Sequence, residues 1–303
     1  MRIVTLLPSA TEIVYKLGLG EELVGVSHDC DYPPDVRSKH VLSQSEITSE
    51  MASEEIDKAT KGKAHSGLSV YHIEAELLRR LSPDLILTQE LCEVCAPSYS
   101  EVLEAAKILE AAPKIVSLEP NCLADILENI KLVGQLTGRE KQAQELVASL
   151  QTRIDRVAEL ASRAEYRPGV FCMEWLSPIY SAGHWVPEMV EIAGGKDVLG
   201  KASRPSYEVS WDDVMRSEPE IIVLMPCGFH PERTLEEIDA VLNREGWKEI
   251  PAVKNDRVFV VDGSSYFNRP GPRIVTGLEI LAEIIHPEIF SNLAPPGSLI
   301  KLP

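Results

Sequence analysis

Residues 76–87, ELLRRLSPDLIL, and residues 212–224, DDVMRSEPEIIVL, carry the same short pattern twice. In each copy an amphipathic helix ends, a proline and an acid follow, and an apolar strand begins; the copies align at Pro83 and Pro219. A repeated helix-to-strand unit predicts two α/β lobes of similar build. Because ligands bind at the carboxyl ends of strands in open α/β sheets, we expect a ligand cleft between the lobes.

The composition limits the partners. The chain has 303 residues and 44% hydrophobic residues, enough for one large or two medium cores. Its 30 basic and 47 acidic side chains leave a formal charge of -17, which repels nucleic acid and anionic membrane surfaces. No apolar run approaches the roughly 20 residues that a bilayer-spanning helix needs. We therefore expect a small-molecule ligand, no nucleic acid and no membrane span.

The first predicted strand follows directly after Met1 and Arg2, with none of the features of a signal peptide before it. The chain as written therefore predicts a cytoplasmic location, and a periplasmic or extracytoplasmic one if a signal peptide is missing from it. Six cysteines in a chain of this size do not indicate a disulfide scaffold, so reduced thiols are expected.

Strands and helices alternate in residues 1–136, which predicts an N-terminal lobe with a mainly parallel, Rossmann-like sheet. Residues Ser9 to Glu12 predict a capping box at the start of the first helix. The predicted strands lie at 2–6, 23–27, 84–88 and 114–118, with a weaker one near 40–43. The predicted helices lie at 9–18, 72–81, 98–111 and 121–136.

Residues 137–164 are rich in Ala, Glu, Gln, Leu and Arg and contain no proline, which predicts one long helix that joins the lobes. It opens with a second predicted capping box, Thr137 to Glu140. The C-terminal lobe is predicted over 165–303, with an irregular tail from Ser291. Its predicted strands lie at 169–174, 220–225 and 257–261, and its helices near 185–194, from Ser210, and at 272–285.

Aromatic and polar residues follow the predicted strands, where ligands bind in such sheets. A flat ligand is expected to stack on Trp175 and Trp185, whereas Trp211 and Trp247 at helix starts are expected to pack. The ligand candidates are Ser9, His28, Tyr32 and Gln89 in the first lobe and Trp175, Trp185 and Phe229 in the second.

Cysteine and histidine are also frequent in these loops. The pair Cys92 and Cys95 has the spacing of half a zinc site or a redox pair, although no second CxxC is present. His28 with Cys30, and Cys227 with His230, have spacings that suit a mixed thiolate and imidazole site, but they suit independent loop residues equally well. Cys122 and Cys172 are expected to be buried and inert.

Signatures of catalysis are scarce. The chain has no Walker loop, no GxGxxG, no GxSxG and no HExxH motif. We therefore predict a binding protein rather than an enzyme.

Several segments together resemble a known family. They are TLLPSATEIVYKLGLGEELVGVSHDCDYPP at 5–34, SPDLIL at 82–87, the long mid-chain helix, and GSSYFNRPGPRIVTGLEIL at 263–281. They are similar to the cobalamin-binding branch of the helical-backbone (class III) periplasmic substrate-binding proteins, which serve ABC importers. The resemblance covers nearly the whole chain and implies cobalamin or a related corrinoid as ligand.

The resemblance also implies roles for single residues. One acid on each lobe docks the transporter permease in that family, and the corresponding positions here are Glu76 and Asp212. An aromatic and arginine segment contacts the corrin, which makes Tyr266, Phe267 and Arg269 ligand candidates.

The thiols and imidazoles exceed what a purely shape-based corrin pocket needs. They suggest contact with the cobalt of a bound corrinoid, or a site for a bare transition metal. An alternative is therefore a cytosolic metal- or tetrapyrrole-binding protein, or a metalloenzyme that uses these residues. The metal candidates are Cys30, Cys92, Cys95, His184, Cys227 and His230, with His28 as a further ligand for cobalt.

Overall fold

The computed structural model describes residues 1–48, 50–65, 70–89, 99–107, 109 and 112–303. The strands are β1 Ile3–Thr5, β2 Leu23–Val26, β3 His40–Val41, β4 Ser43–Ser45, β5 Tyr71–Ile73, β6 Leu85–Thr88, β7 Lys114–Ser117, β8 Gly169–Trp175, β9 Tyr180–Ser181, β10 Lys196–Asp197, β11 Tyr207–Glu208, β12 Ile221–Leu224, β13 Val258–Val261 and β14 Leu299–Lys301. The helices are α1 Pro8–Lys16, α2 Ser53–His65, α3 Ala75–Leu81, α4 Tyr99–Ala106, α5 Leu123–Thr137, α6 Glu140–Ala161, α7 Val186–Ile192, α8 Trp211–Ser217, α9 Pro231–Glu236, α10 Asp239–Leu242, α11 Pro251–Lys254, α12 Gly263–Tyr266 and α13 Ile274–Ile285.

The chain divides into two compact units. Unit 1 comprises Met1–Pro120 and Asp125–Val147, and unit 2 comprises Asn121–Ala124 and Ala148–Pro303. The division falls inside α6, the 22-residue helix of the segment that the composition predicts to be helical. The cysteines Cys92 and Cys95 of the predicted CxxC pair lie outside the described residues.

Unit 1 is built on a five-stranded sheet of order β3-β2-β1-β6-β7, in which every pairing is parallel. The strand order reverses between β1 and β6, which makes this point the topological switch of a doubly wound sheet. Apolar strands buried on both faces are expected for such a sheet, and Ile3, Val4 and Ile86 are fully buried. β4 and β5 form a separate antiparallel pair.

Unit 2 contains a seven-stranded sheet of order β11-β9-β8-β12-β13-β14, with β10 also paired to β8. Its centre is parallel, because β8, β12 and β13 run in one direction, while β9, β11 and β14 are antiparallel additions. The core around it includes the fully buried Phe171, Ile222 and Val260. The predicted fold class, α/β with mainly parallel sheets in two Rossmann-like parts, is confirmed.

The predicted capping box at Ser9 is wrong. Helix α1 begins one residue earlier at Pro8, with Leu7 at the N-cap and no side-chain cap. Proline suits the first helical position because its missing N–H has no partner there in any case. The helix ends at Lys16, and beyond the C-cap Leu17 lies Gly18, whose φ of 74° places it in the left-handed region; the N–H groups of Gly18 and Leu19 donate to the carbonyls of Tyr15 and Val14.

The predicted capping box at Thr137 is also wrong. Thr137 is the last residue of α5, and its hydroxyl donates to the carbonyl of Val133 at 2.7 Å, so it does not cap α6. At the start of α8 a capping box is present instead: the Ser210 hydroxyl accepts from the backbone N–H of Asp213, and the Asp213 carboxylate accepts from the backbone N–H of Ser210.

The tail predicted to be irregular contains β14, which pairs antiparallel with β13 through Phe259 and Lys301. A strand this short is defined only by its pairing with a strand far away in sequence, so the local sequence pattern did not predict β14. Among the described residues, the helices are all too short or too polar to cross a membrane.

Candidate functional site

Ser9 and Gln89 follow β1 and β6 at the switch point of the unit 1 sheet. Both residues are buried, with 2% and 6% of their surface exposed. The neighbouring Thr88 hydroxyl is buried and has no hydrogen-bond partner. Both residues therefore lie at the edge where ligands bind in this fold, but their side chains face protein; contact with a ligand stays a prediction.

Cys30 belongs to a buried polar cluster beneath the ends of β1 and β2. Its Sγ lies 3.0 Å from the Thr11 hydroxyl and 3.3 Å from the Ser27 hydroxyl, and Thr11 lies 2.6 Å from the hydroxyl of Thr5. The thiol is only 9% exposed. These contacts explain Cys30 as a structural residue, and its role as a metal ligand stays a prediction.

His28 lies directly beyond β2 and is held on two sides. Its Nδ1 lies 2.8 Å from the Ser43 hydroxyl, which also accepts the backbone N–H of His28 at 3.1 Å. The ring packs against Tyr71 with centroids 5.4 Å apart. Its Nε2 lies 3.4 Å from Oδ2 of Asp29, and 25% of the side chain is exposed. Ser43 and Tyr71 thus fix the direction of the imidazole, and Nε2 lies on the side of the exposed Asp29.

The loop after β2 continues to Tyr32, which is partly exposed and precedes a cis proline. This position at the ligand-facing edge of unit 1 agrees with a contact role, which stays a prediction.

Trp175 ends β8 in unit 2 and packs in a cluster with Phe229 and Arg233. Its ring lies 5.2 Å from the ring of Phe229, centroid to centroid. The guanidinium of Arg233 covers the Phe229 ring at 4.7 Å and is paired with Glu236 and Glu237. Phe229 is buried and Trp175 is partly exposed. The rings of Trp175 and Phe229 are tilted by 54°, and the cluster Trp175–Phe229–Arg233 therefore presents one indole from a fixed support.

Glu174 precedes this tryptophan and accepts a hydrogen bond from the Ser206 hydroxyl at 2.8 Å. Burial raises the pKa of Glu174, an effect that the bonds from Ser206 and from the Gly183 backbone partly offset.

Trp185 and Phe267 support the binding edge from inside. Trp185 is 5% exposed and its Nε1 donates to the carbonyl of Phe267 at 2.8 Å, while Phe267 is fully buried. Neither ring presents a face to solvent, so the expected stacking of a ligand on Trp185 and the expected ligand contact of Phe267 stay predictions without an exposed face to carry them. Sequence alone did not reveal this, because the burial of loop aromatics has no periodic signal.

Tyr266 and Arg269 are partly exposed on the segment that Trp185 anchors. The Arg273 guanidinium covers the Tyr266 ring at 5.5 Å. The carbonyl of Tyr266 approaches α13 so closely that a Cβ on Gly277 would lie 2.1 Å from it, so glycine is required there. The segment is thus held rigidly with Tyr266 and Arg269 on its surface.

The remaining metal candidates of unit 2 are separate features. His184 has a positive φ of 51° and a buried Nε2 without a hydrogen-bond partner, and burial lowers its pKa. His230 pairs with Asp262 at 3.0 Å, and Cys227 has a partly exposed free thiol. Across the part of the chain that the structure describes, no three Cys, His, Asp or Glu residues form a group suited to a metal ion.

The two cysteines expected to be buried and inert differ in exposure. Cys172 is fully buried, whereas Cys122 is partly exposed, contrary to expectation.

The two predicted docking acids lie on equivalent helices. Glu76 is in the first turn of α3, with 75% of its side chain exposed, and pairs with Arg79 at 3.0 Å. Asp212 is exposed in the first turn of α8. Surface acids on short helices are suited to contact a partner's cations, and docking stays a prediction.

Sequence reasoning did not single out the residues that orient the site: Ser43 and Tyr71 behind His28, Arg233 behind Phe229, Ser206 beside Glu174, and Asp262. Asp262 follows β13 directly, so its position after a predicted strand was a usable signal. Ser43, Tyr71 and Arg233 depend on β4, β5 and α9, and Ser206 directly precedes β11; local pattern predicted none of these elements.

Comparison with known proteins identifies the class. Two α/β units of this kind are typical of substrate-binding proteins. The family model described as "Periplasmic binding protein" matches residues 3–264. The chain belongs to this family, whose members deliver substrates to ABC importers. The cytoplasmic location expected from the sequence is not supported, because the family is periplasmic.

Individual relatives differ in their described ligands. The chain is 29% identical over 298 residues to the ABC transporter substrate-binding lipoprotein YvrC of Bacillus subtilis, covering 96% of this chain and 82% of that one. It is 26% identical over 283 residues to the vitamin B12-binding protein of Vibrio cholerae serotype O1, covering 92% and 86%.

Two solved structures resemble the chain over nearly its full length. A possible iron-binding, periplasmic solute-binding protein from Staphylococcus epidermidis is 30% identical, with a TM-score of 0.69 and coverage of 94% of this chain and 98% of that one. The periplasmic heme-binding protein RhuT from Roseiflexus sp. RS-1 is 22% identical, with a TM-score of 0.71 and the same coverage, a likeness that concerns the fold.

Proposed function

We propose that this substrate-binding protein takes cobalamin or a related corrinoid as its cargo and docks an ABC importer permease through Glu76 and Asp212. The observation that carries the proposal is the cluster Trp175–Phe229–Arg233, which presents a rigid, partly exposed indole at the ligand-binding edge of unit 2. A corrin ring is broad and largely apolar, so a fixed aromatic face suits it. The similarity to a protein described as vitamin B12-binding supports the same ligand class.

The polar groups around the indole suit the amide arms of a corrinoid. Glu174 precedes the indole in sequence, its carboxylate accepts from the Ser206 hydroxyl, and burial raises its pKa. Tyr266 and Arg269 add a hydroxyl and a guanidinium on the same edge of unit 2. Such a mixture of an apolar face and scattered hydrogen-bonding groups is typical of small-molecule sites.

Calorimetric titration of the purified protein with cyanocobalamin, aquocobalamin and haemin tests the ligand class. Cobalamins are expected to bind and to raise the unfolding temperature, because a ligand at 100 times its Kd stabilises the folded state by about 2.7 kcal/mol. Binding of haemin alone would contradict the proposal and favour a haem cargo.

The variant Trp175→Ala tests the aromatic surface. We expect the cobalamin affinity to fall by roughly tenfold to a hundredfold, as for a central aromatic contact. Trp211→Ala is the matched control: Trp211 also packs on an aromatic ring, that of Trp247 at 6.2 Å, in a cluster that contains an arginine, Arg244, but it lies on α8. Equal losses of affinity in both variants would place the ligand elsewhere.

The docking acids are tested by uptake of labelled cobalamin in cells that depend on this protein. The double variant Glu76→Ala with Asp212→Ala is expected to reduce uptake and to leave the Kd for cobalamin unchanged. The control removes Glu128 and Glu159, two exposed glutamates that pair with cations on their own helices as Glu76 does. Normal uptake by the docking variant would remove these residues from the proposal.

A further inference from the structure

The imidazole of His28 has the support that metal-binding histidines usually have. Its Nδ1 lies 2.8 Å from the hydroxyl of Ser43, a residue that is 1% exposed, and its ring packs on the buried Tyr71. Ser43 Oγ accepts the backbone N–H of His28, and its second lone pair accepts Nδ1–H in the tautomer that has its proton on Nδ1. In this tautomer Nε2 carries the free lone pair, and the ring is oriented by a second group as in known metal sites.

A single imidazole is a sufficient protein ligand for a metal whose other ligands come from a ring. A bare ion requires three or four protein ligands, whereas the cobalt of a corrinoid already has four equatorial nitrogens from its ring and exchanges only an axial ligand. His28 lies directly beyond β2, at the edge of the unit 1 sheet where the fold places ligands. We propose that His28 supplies an axial nitrogen to the cobalt of the bound corrinoid and so selects cargo with an exchangeable axial position; this rests on the proposed function.

The exchange step is a simple substitution. The Co(III)–OH₂ bond breaks and water leaves, the Nε2 lone pair forms the Co–N bond, and Nδ1 keeps its proton on Ser43. No electron is transferred. Asp29, whose Oδ2 lies 3.4 Å from Nε2, is the competing partner. Its side chain is 48% exposed, and exposed pairs of this kind are weak, so Asp29 does not prevent exchange.

The test compares two corrinoids and two histidines. Aquocobalamin has an exchangeable water, whereas methylcobalamin carries a carbon ligand that does not exchange. With the wild-type protein, the visible spectrum of aquocobalamin is expected to shift to that of a nitrogen-ligated cobalt, while that of methylcobalamin does not change. His28→Ala is expected to abolish the shift and to weaken aquocobalamin binding roughly tenfold or more, but to change methylcobalamin binding less than about twofold.

His40→Ala is the matched control, since His40 is an exposed histidine in β3 of the same unit; it is expected to leave both the shift and the affinity intact. Ser43→Ala, which removes the orienting hydroxyl, is expected to weaken the shift without abolishing methylcobalamin binding. Thermal unfolding of each variant checks that it is folded.

Three results would overturn the inference. Wild-type protein that binds both corrinoids with no spectral shift would overturn it and leave the proposed function intact. A shift that survives His28→Ala and is lost in His184→Ala would assign the nitrogen to His184. Absence of binding to either corrinoid would overturn the proposed function together with the inference.

Discussion

The repeat that defines the fold is built twice with the same backbone and different side chains. Helices α3 and α8 each have seven residues and end in a left-handed residue, Ser82 with a φ of 41° and Glu218 with a φ of 44°. A proline follows in both, and then the fully buried strands β6 and β12. The repeat therefore determines how a helix turns back into the sheet, independently of the residues that surround it.

The acid after the proline has the same task in both units. The carboxylate of Asp84 accepts the backbone N–H of Arg2 at 2.7 Å, and that of Glu220 accepts the N–H of Gly169 at 2.8 Å. Each acid thus ties the repeat to the beginning of the first strand of its own unit. In unit 2 the carboxylate also accepts the Tyr166 hydroxyl at 2.8 Å, and this extra bond raises the pKa of Tyr166.

The two units differ most in the additional short strand that pairs with the first strand of unit 2. In unit 2, β10 pairs with β8 and brings Asp197 into the interior. Oδ1 of Asp197 accepts the N–H groups of Leu199 and Gly200, but Oδ2 is buried without a partner. Burial raises the pKa of Asp197 from 3.8 to about 6. The addition therefore makes the stability of unit 2 dependent on pH.

The largest expected effect comes from removing the charge of Asp197. Since the folded state holds the Asp197 proton more tightly, its stabilising contribution is present below about pH 4 and is lost as the pH rises through 6. The shift from 3.8 to about 6 corresponds to about 3 kcal/mol. Asp197→Asn is expected to abolish this loss, so that the unfolding free energy falls less between pH 4 and 7, as urea unfolding would measure.

Asp155→Asn is the control for Asp197, because Asp155 is an exposed acid on α6. It is expected to follow the wild-type pH dependence. If Asp197→Asn also follows the wild-type curve, the buried carboxylate is not the source of the pH dependence.

The next largest effect comes from removing the acid that ties each copy of the repeat to the first strand of its unit. Glu220→Ala removes two hydrogen bonds to a charged acceptor and is expected to destabilise the protein by about 2 kcal/mol, whereas Asp84→Ala removes one exposed bond and is expected to cost about 1 kcal/mol. Urea unfolding of both variants measures the difference. Tyr166→Phe removes only the additional bond, so the double variant with Glu220→Ala should be no less stable than Glu220→Ala alone. Equal losses for the two acids would show that the extra bond contributes nothing.

The central fold was predictable because its strands are continuous apolar runs. β1, β2, β6 and β12 are buried on both faces, and their composition alone indicates this. The added pieces were not predictable: β10 and β14 have two and three residues, and only their pairing with β8 and β13 defines them. At α1 two local signals competed, and proline at the first helical position prevailed over the serine of the expected capping box.

The candidate site was predictable in outline for a similar reason. Trp175 and His28 follow buried strands, so their place at the ligand-binding edge followed from the strands. Their orientation did not, because Ser43, Tyr71 and Arg233 come from other segments of the chain. The burial of Trp185 and Phe267 depends on a hydrogen bond between residues far apart in sequence, which no local pattern encodes.

The smallest expected effects concern the left-handed residues at the ends of the helices. Ser82 and Glu218 adopt a left-handed conformation that costs a side chain about 1 kcal/mol, whereas α1 has Gly18 in that region, with a φ of 74°. Ser82→Gly and Glu218→Gly are each expected to stabilise the protein by up to about 1 kcal/mol, and Gly18→Ala to destabilise it by a similar amount. No atom lies within 4 Å of a Cβ built at Gly18, so that variant measures the backbone conformation alone. Thermal unfolding of the three variants decides the matter: if Ser82→Gly and Glu218→Gly differ in sign, the two copies of the repeat do not share the strain that their dihedral angles indicate.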